Sequence, residues 1–124
     1  MIDTLRQVLV AAVAAEHLYI LYLEMVAWET SRVRRIFGTT PEFARDTKAL
    51  AANQGLYNGF LAAGLTWGLV HPDAAVGLQI QLFFLGCVLV AAAYGGATVG
   101  RRILLVQGGP ALLALLSVLA ASRV

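Results

Sequence analysis

Charged side chains are scarce in this sequence: only 13% of its 124 residues are charged, whereas 60% are hydrophobic. Soluble domains average about 25% charged residues, so the composition excludes an ordinary soluble domain and indicates a protein of the lipid bilayer. Apolar spans need about 20 residues each, and four of them use nearly the whole length. We therefore predict one integral membrane domain, residues 1–124, with no separate soluble domain.

Cysteine is nearly absent, and RNA-binding aromatic motifs are lacking. Cys87 is the single cysteine, which excludes an intrachain disulfide and is typical of a small buried apolar residue. The net charge of +2 comes from arginines between apolar runs, without the motifs that accompany nucleic-acid binding. We expect no nucleic-acid partner.

Four apolar runs predict an all-α fold, a four-transmembrane-helix bundle with short loops. Trp28 marks the end of the first run at interfacial depth, and Thr40-Pro41-Glu42 is typical of a helix start. Gly108-Gly109-Pro110 predicts an interruption of the last helix. The predicted spans are about 5–28, 49–70, 74–95 and 103–121.

The distribution of basic residues predicts an orientation. Of the nine lysine and arginine residues, seven lie in the first and third connections and two near the termini. Because cytoplasmic loops carry the excess of positive charge, we place both termini outside. The expected location is the cell (inner) membrane, as a multi-pass protein.

Three polar residues interrupt the first span: Glu16, His17 and Glu24. A charge at the bilayer centre costs about 2.5 to 3.5 kcal/mol on insertion scales. His17 and Glu24 fall about 20° apart around a helix, with Glu16 about 100° from His17. The three side chains therefore share one sector, which we expect to face protein or water.

The second span carries a matching polar stripe within an arc of about 140°, formed by Asn53, Tyr57, Gln54 and Asn58. At about 1.5 Å per residue, Glu24 lies level with Asn53 and His17 with Asn58, so the stripes can meet in antiparallel neighbours. Beside them, small-xxx-small spacings predict close helix packing at two glycine pairs, Gly55 with Gly59 and Gly64 with Gly68.

Three sequence blocks, 16–25, 40–43 and 51–65, resemble the family called domain of unknown function 1304. They begin Glu16-His17-Leu18, Thr40-Pro41-Glu42 and Ala51-Ala52-Asn53. The resemblance covers the first half closely and the whole chain by length and number of spans. It implies a small four-helix membrane protein and brings no activity with it.

The residue types favour binding or transport: Glu16, Glu24 and His17 would bind a proton or a small cationic ligand, oriented by the amides and Tyr57. A ligand-binding site is thus predicted at Glu16, His17, Glu24, Asn53, Gln54, Tyr57 and Asn58. Four helices enclose a narrow pore at best, so a homodimer is the expected assembly.

Other roles stay open at this point. Glu16, His17 and Glu24 are also candidate catalytic residues of a membrane-embedded enzyme that acts on a lipid-like substrate by acid-base chemistry. A single metal ion fits poorly, because His17 and Glu24 lie about 10.5 Å apart along a helix; we expect no metal and no cofactor. A purely structural role is the remaining alternative.

Overall fold

The computed structural model describes residues 1–123; Val124, the last residue of the predicted domain, lies outside the described residues. The described chain is mostly helical and contains no strand, which confirms the all-α prediction. We number six helices: α1 Ile2–Met25, α2 Ser31–Phe37, α3 Pro41–Asp46, α4 Lys48–Val70, α5 Ala74–Thr98 and α6 Arg101–Ala121. The chain forms two compact units, residues 16–60 and residues 1–15 with 61–123.

The first connection folds into two short helices because its sequence supplies caps. The Thr30 hydroxyl accepts a hydrogen bond from the Val33 amide, and the Thr40 hydroxyl accepts one from the Phe43 amide. Gly38 ends α2 in the left-handed conformation, with φ of 68°, which glycine adopts without steric cost. The helix start predicted at Thr40-Pro41-Glu42 is confirmed.

Among residues 1–123, three helices are long and apolar enough to cross a membrane: Ile2–Met25, Ala74–Thr98 and Arg101–Ala121. The second predicted span, 49–70, corresponds to α4, which has the length, 23 residues, but does not reach the same apolarity. Its first half carries two asparagines and a glutamine. The structure thus supports three candidate spans; a fourth crossing and the orientation of the termini stay predictions.

The unit of residues 1–15 with 61–123 contains the larger apolar core, in which α1, α4, α5 and α6 all take part. Its fully buried members include Val10, Leu65, Leu85, Val88 and Val118. Dispersion between closely packed side chains stabilises the contact of these helices. This core explains why the long helices pack together despite their nearly uniform apolar character.

Small residues bring α4 and α5 close within this unit. A Cβ atom added at Gly68 would lie 3.0 Å from the Gly77 carbonyl oxygen, and one added at Gly77 would lie 2.6 Å from the Gly68 carbonyl oxygen. A Cβ at Gly64 would overlap the Phe84 ring. The prediction that Gly64 and Gly68 allow close helix packing is confirmed, with α5 as the partner.

The last helix is irregular where the sequence predicts an interruption. Leu104–Gly108 forms a π-helical turn that leads into Gly109 and Pro110. Proline lacks an amide hydrogen and its ring collides with the preceding turn of a regular α-helix. The wider turn accommodates that ring.

The unit of residues 16–60 has a smaller apolar core of Leu23, Ala27 and Val33, against which Trp28 packs. Helix α1 ends at Met25, so Trp28 lies in the turn after the helix. Its indole Nε1 donates to the Thr47 hydroxyl at 3.1 Å, and its ring contacts Phe37 with centroids 5.0 Å apart. These contacts hold the first connection against the start of α4.

Candidate functional site

The end of α1 and the first half of α4 approach closely within the unit of residues 16–60. A Cβ atom added at Gly55 would lie 2.7 Å from Met25 Cγ and 3.3 Å from the Leu21 carbonyl oxygen. One added at Gly59 would lie 2.7 Å from Leu21 Cδ1. The predicted packing role of Gly55 and Gly59 is therefore confirmed, and their partner is α1.

Glu24 and Asn58 meet beside this glycine contact. The Asn58 Nδ2 group donates to Glu24 Oε1 at 2.7 Å and also to the Gln54 carbonyl oxygen at 3.2 Å. Glu24 is buried, with 7% of its surface exposed. Among residues 1–123 no lysine, arginine or histidine forms an ion pair with this carboxylate. The side chain that hydrogen-bonds the buried Glu24 carboxylate is thus the neutral amide of Asn58.

The register of this contact differs from the one predicted. Equal depth would place Glu24 beside Asn53, but the structure pairs Glu24 with Asn58, five residues further along α4. Met25, the last residue of α1, lies against Gly55, and Trp28 contacts Thr47, the residue before α4, so the end of α1 lies beside the second turn of α4 and not beside its first residue. The two helices consequently do not begin and end at the same level.

The other two polar residues of α1 are also shielded. His17 is buried, with 1% of its surface exposed. Glu16 is partly buried, and its Oε1 atom has no hydrogen-bond partner among residues 1–123. Such an oxygen is uncommon, because buried polar atoms are nearly always satisfied. Both acids of the predicted site therefore have oxygen atoms in low-polarity surroundings.

The remaining predicted site residues lie on the outer surface of α4. Asn53 and Gln54 are exposed, and Tyr57 has 57% of its surface exposed. Of the predicted polar stripe, Asn58 at its edge reaches α1. The structure brings Glu24 and Asn58 together and leaves the other two amides and the phenol available for another partner.

A family model described as protein of unknown function (DUF1304) matches residues 11–119 of this chain. The chain belongs to this family. A relative from Lactococcus lactis subsp. lactis (strain IL1403), named Uncharacterized protein YpaA, is 36% identical over 107 residues, which are 85% of this chain and 88% of the relative. No solved structure matches.

The DUF1304 match spans all of the residues predicted to form the site, from Glu16 to Asn58. The predicted resemblance is therefore confirmed over both the amide-rich helix and the acidic end of α1. The apolar helices are compatible with a membrane protein. The family description names no function, so the chemistry of the site has to be argued from its side chains.

A second polar network, in the unit of residues 1–15 with 61–123, was not predicted from sequence. Arg6 Nη1 donates to Gln81 Oε1 at 2.7 Å, and Arg6 Nη2 donates to Asp3 Oδ1 at 2.6 Å. Gln81 Nε2 donates to the Gly68 carbonyl oxygen at 2.9 Å. The spacing of Asp3 and Arg6 on one helix face was a usable signal. Nothing in the sequence around Gln81 indicated that its partner would be Arg6, 75 residues away.

Side chains of the types that ligate metals are spread along the described chain. Among residues 1–123 no group of three histidine, cysteine, aspartate or glutamate side chains lies close enough to hold a metal ion. His17 and Glu24 belong to the same helix and are separated along its axis.

Proposed function

We propose that this protein is a multi-pass membrane protein, with α4 as its fourth span, that binds a proton or a small cationic ligand at Glu24 and Glu16 and couples the two in transport. The observation that carries the proposal is the Glu24 carboxylate, buried at the end of an apolar helix with an amide and no cation beside it. The site lies in one compact unit, residues 16–60.

A buried carboxylate without a counter-ion has two ways to relieve the cost of its charge. It can take up a proton, or it can pair with a cation that enters the protein. The same group cannot do both at once, so a proton and a cation compete for it. Competition of this kind is the minimum requirement for exchange transport.

The neighbouring groups support the same role. Glu16 supplies a second acid with an unpaired oxygen about 12 Å further along the helix, and His17 is a buried imidazole in the same sector. In this proposal Asn58 orients Glu24, while Asn53, Gln54 and Tyr57 orient the ligand. Proton transfer between the acids would require His17 or water as an intermediate.

The first test measures proton binding directly. Infrared pH titration of the purified protein in lipid should show a carboxylic acid band that disappears in Glu24→Gln. Glu42→Gln is the matched control, because Glu42 is an exposed acid in the first turn of α3. A spectrum unchanged by Glu24→Gln would refute protonation of this site.

The second test measures coupling, with ethidium as the cationic probe. Proteoliposomes with an imposed pH gradient should accumulate ethidium, and uptake should fall at least tenfold in Glu24→Gln and in Glu16→Gln but not in Glu42→Gln. If the infrared band depends on Glu24 but ethidium uptake does not, the protein binds protons without transporting this class of cation. Transport would then be rejected while the binding site stands.

A homodimer completes this proposal, because α4 exposes polar groups that lipid cannot satisfy. Primary amides both donate and accept hydrogen bonds, so the exposed Asn53 and Gln54 suit a symmetric contact with the same groups of a second copy. With Cys87 replaced by alanine, Tyr57→Cys should form intermolecular disulfides in membranes. Leu56→Cys, exposed on another side of α4, should not.

The result for Tyr57→Cys distinguishes two explanations of the exposed side of α4, a dimer contact and a surface that faces water. Efficient disulfide formation supports the dimer. Rapid labelling by a membrane-impermeant maleimide without cross-linking would show that this side of α4 faces water, and the dimer would be rejected.

A further inference from the structure

A groove lies at the end of α1, in the unit of residues 16–60. It has a volume of about 270 Å³ and is lined by Met25, Val26, Trp28, Glu29, Thr30 and Lys48. Its position is informative, because Met25 is the last residue of a helix long and apolar enough to cross a membrane. If α1 crosses the bilayer, the groove lies at the depth of the lipid headgroups.

The lining of the groove combines apolar side chains with a pair of opposite charges. Met25 and Val26 supply apolar surface, with Val26 70% exposed. The lining also carries an ion pair, in which Lys48 Nζ lies 3.2 Å from Glu29 Oε1, and both side chains are accessible. A ligand that fits this lining has an apolar portion joined to a group with one positive and one negative charge.

The groove is held in shape by its neighbours. Trp28 is fixed by its hydrogen bond to Thr47 and its ring contact with Phe37. Arg34 Nε donates to the Glu29 carbonyl oxygen at 3.2 Å, which fixes the backbone beneath the acid. Preorganisation of this kind reduces the entropy lost on binding.

We propose that this groove binds the headgroup of a phospholipid that carries a primary ammonium, as in phosphatidylethanolamine. The Lys48 ammonium would contact the phosphate, the Glu29 carboxylate would accept hydrogen bonds from the lipid ammonium, and Met25 with Val26 would contact the start of the acyl chains. The ion pair between Glu29 and Lys48 would be exchanged for two contacts of the same charge pattern.

Headgroup chemistry makes the proposal selective. A choline headgroup has no N–H group, so it cannot donate a hydrogen bond to Glu29 and would instead favour the face of Trp28. An anionic glycerol headgroup would be attracted by Lys48 and repelled by Glu29. The groove volume of about 270 Å³ is slightly smaller than that of sites for drug-sized ligands, which is about 300 to 1,000 Å³. A lipid headgroup is smaller than such ligands and suits this volume. The proposal does not rest on the transport role of Glu24.

The test uses the two tryptophans as separate reporters. In Trp67→Phe protein, Trp28 reports on this groove; in Trp28→Phe protein, Trp67 reports on a groove of about 330 Å³ whose lining includes Val76, Phe83 and Phe84 and no charged residue among the described ones. Each protein is reconstituted with lipids whose acyl chains carry bromine, and quenching is measured as the mole fraction of one headgroup is raised.

Trp28 should show an apparent affinity for the ethanolamine lipid at least threefold higher than for the choline lipid, and Trp67 should show no preference. Glu29→Gln should abolish the preference, and Lys48→Gln should weaken binding of both lipids. Asp46→Asn is the matched control, since Asp46 forms an exposed ion pair with Arg45 outside the groove. Soluble phosphoethanolamine should not compete, because it lacks acyl chains.

Three results would overturn the proposal. Equal quenching of Trp28 by ethanolamine and choline lipids would remove the selectivity. Stronger quenching by the anionic glycerol lipid, retained in Glu29→Gln, would assign the groove to a phosphate group alone. An ethanolamine preference that survives Glu29→Gln and is lost in Asp46→Asn would place the lipid elsewhere.

Discussion

The two polar networks of this protein place a charge inside helical structure in contrasting ways. In the unit of residues 1–15 with 61–123, Arg6 is paired with the Asp3 carboxylate and with Gln81. In the unit of residues 16–60, Glu24 accepts one side-chain hydrogen bond from an amide and forms no ion pair with any of the described residues. A network that satisfies its charge stabilises a fold, whereas an acid without a counter-ion is available to a ligand. On this comparison we propose a structural role for Arg6 and a functional role for Glu24.

The largest effect should come from breaking the paired network. Gln81→Leu removes the acceptor of Arg6 Nη1 and the donor to the Gly68 carbonyl oxygen. We expect a loss of about 3 kcal/mol in the free energy of unfolding, because Arg6 Nη1 and the Gly68 carbonyl oxygen each lose a buried hydrogen-bond partner, while Arg6 keeps its contact with Asp3. SDS titration in mixed micelles measures it. Gln79→Leu, at an exposed site of the same helix, should change little; similar losses in both variants would contradict the structural role.

A second comparison concerns the glycines of α4. Gly68→Ala should destabilise by about 2 kcal/mol, since the new methyl group meets the Gly77 carbonyl and the Gln81 backbone, which cannot move aside easily. Gly59→Ala meets only the tip of Leu21, and alanine favours helix by up to about 1 kcal/mol, so the two effects nearly cancel. SDS titration measures both variants. Equal losses in the free energy of unfolding would contradict the conclusion that Gly68 contacts backbone atoms and Gly59 only a side chain.

Asn58→Leu should lower stability by about 1 to 2 kcal/mol, because it removes the donor that supports the Glu24 carboxylate. In a Glu24→Leu background the same substitution should be nearly neutral, since no carboxylate is left without a partner. The difference, measured as a double-mutant cycle, gives the coupling between the two side chains. A coupling near zero would show that the hydrogen bond does not persist in lipid.

The smallest effect on stability is expected for Glu24→Gln. Glutamine is neutral and of similar shape, so removal of a buried charge should leave the free energy of unfolding unchanged or raise it by up to about 1 kcal/mol. Proton binding should nevertheless be lost. A large destabilisation would show that Glu24, like Arg6, serves the fold, and the proposed division between the two networks would fail.

The predictable part of this protein was the character of each helix. Long apolar runs indicate helices for a membrane because every backbone group is satisfied within the helix, and three such helices are present. Glycines spaced by four residues predicted close approach, which both Gly55 with Gly59 and Gly64 with Gly68 show. The same reasoning predicted α4 as a fourth span, but its amide side chains lower its hydropathy, and it is not among the three candidate spans of the described residues.

The candidate site was predictable in part. Periodicity placed Glu24 and Asn58 on polar sides of their helices, and the structure joins these two. Asn53, Gln54 and Tyr57 share the same stripe and yet are exposed. A stripe of about 140° is wider than the surface that one neighbouring helix covers, so periodicity alone could not tell which of its members would meet α1.

The sequence by itself determined the helical content, the close approach at the glycine pairs of α4 and the presence of Glu16 and Glu24 within an apolar helix, because these depend on local spacing and composition. The tertiary structure alone decided the register that joins Glu24 to Asn58 and the pairing of Arg6 with Gln81, 75 residues away. Register depends on how the chain leaves one helix and enters the next, and distant pairing depends on which helices become neighbours. The periodicity of a single helix contains no information about either one.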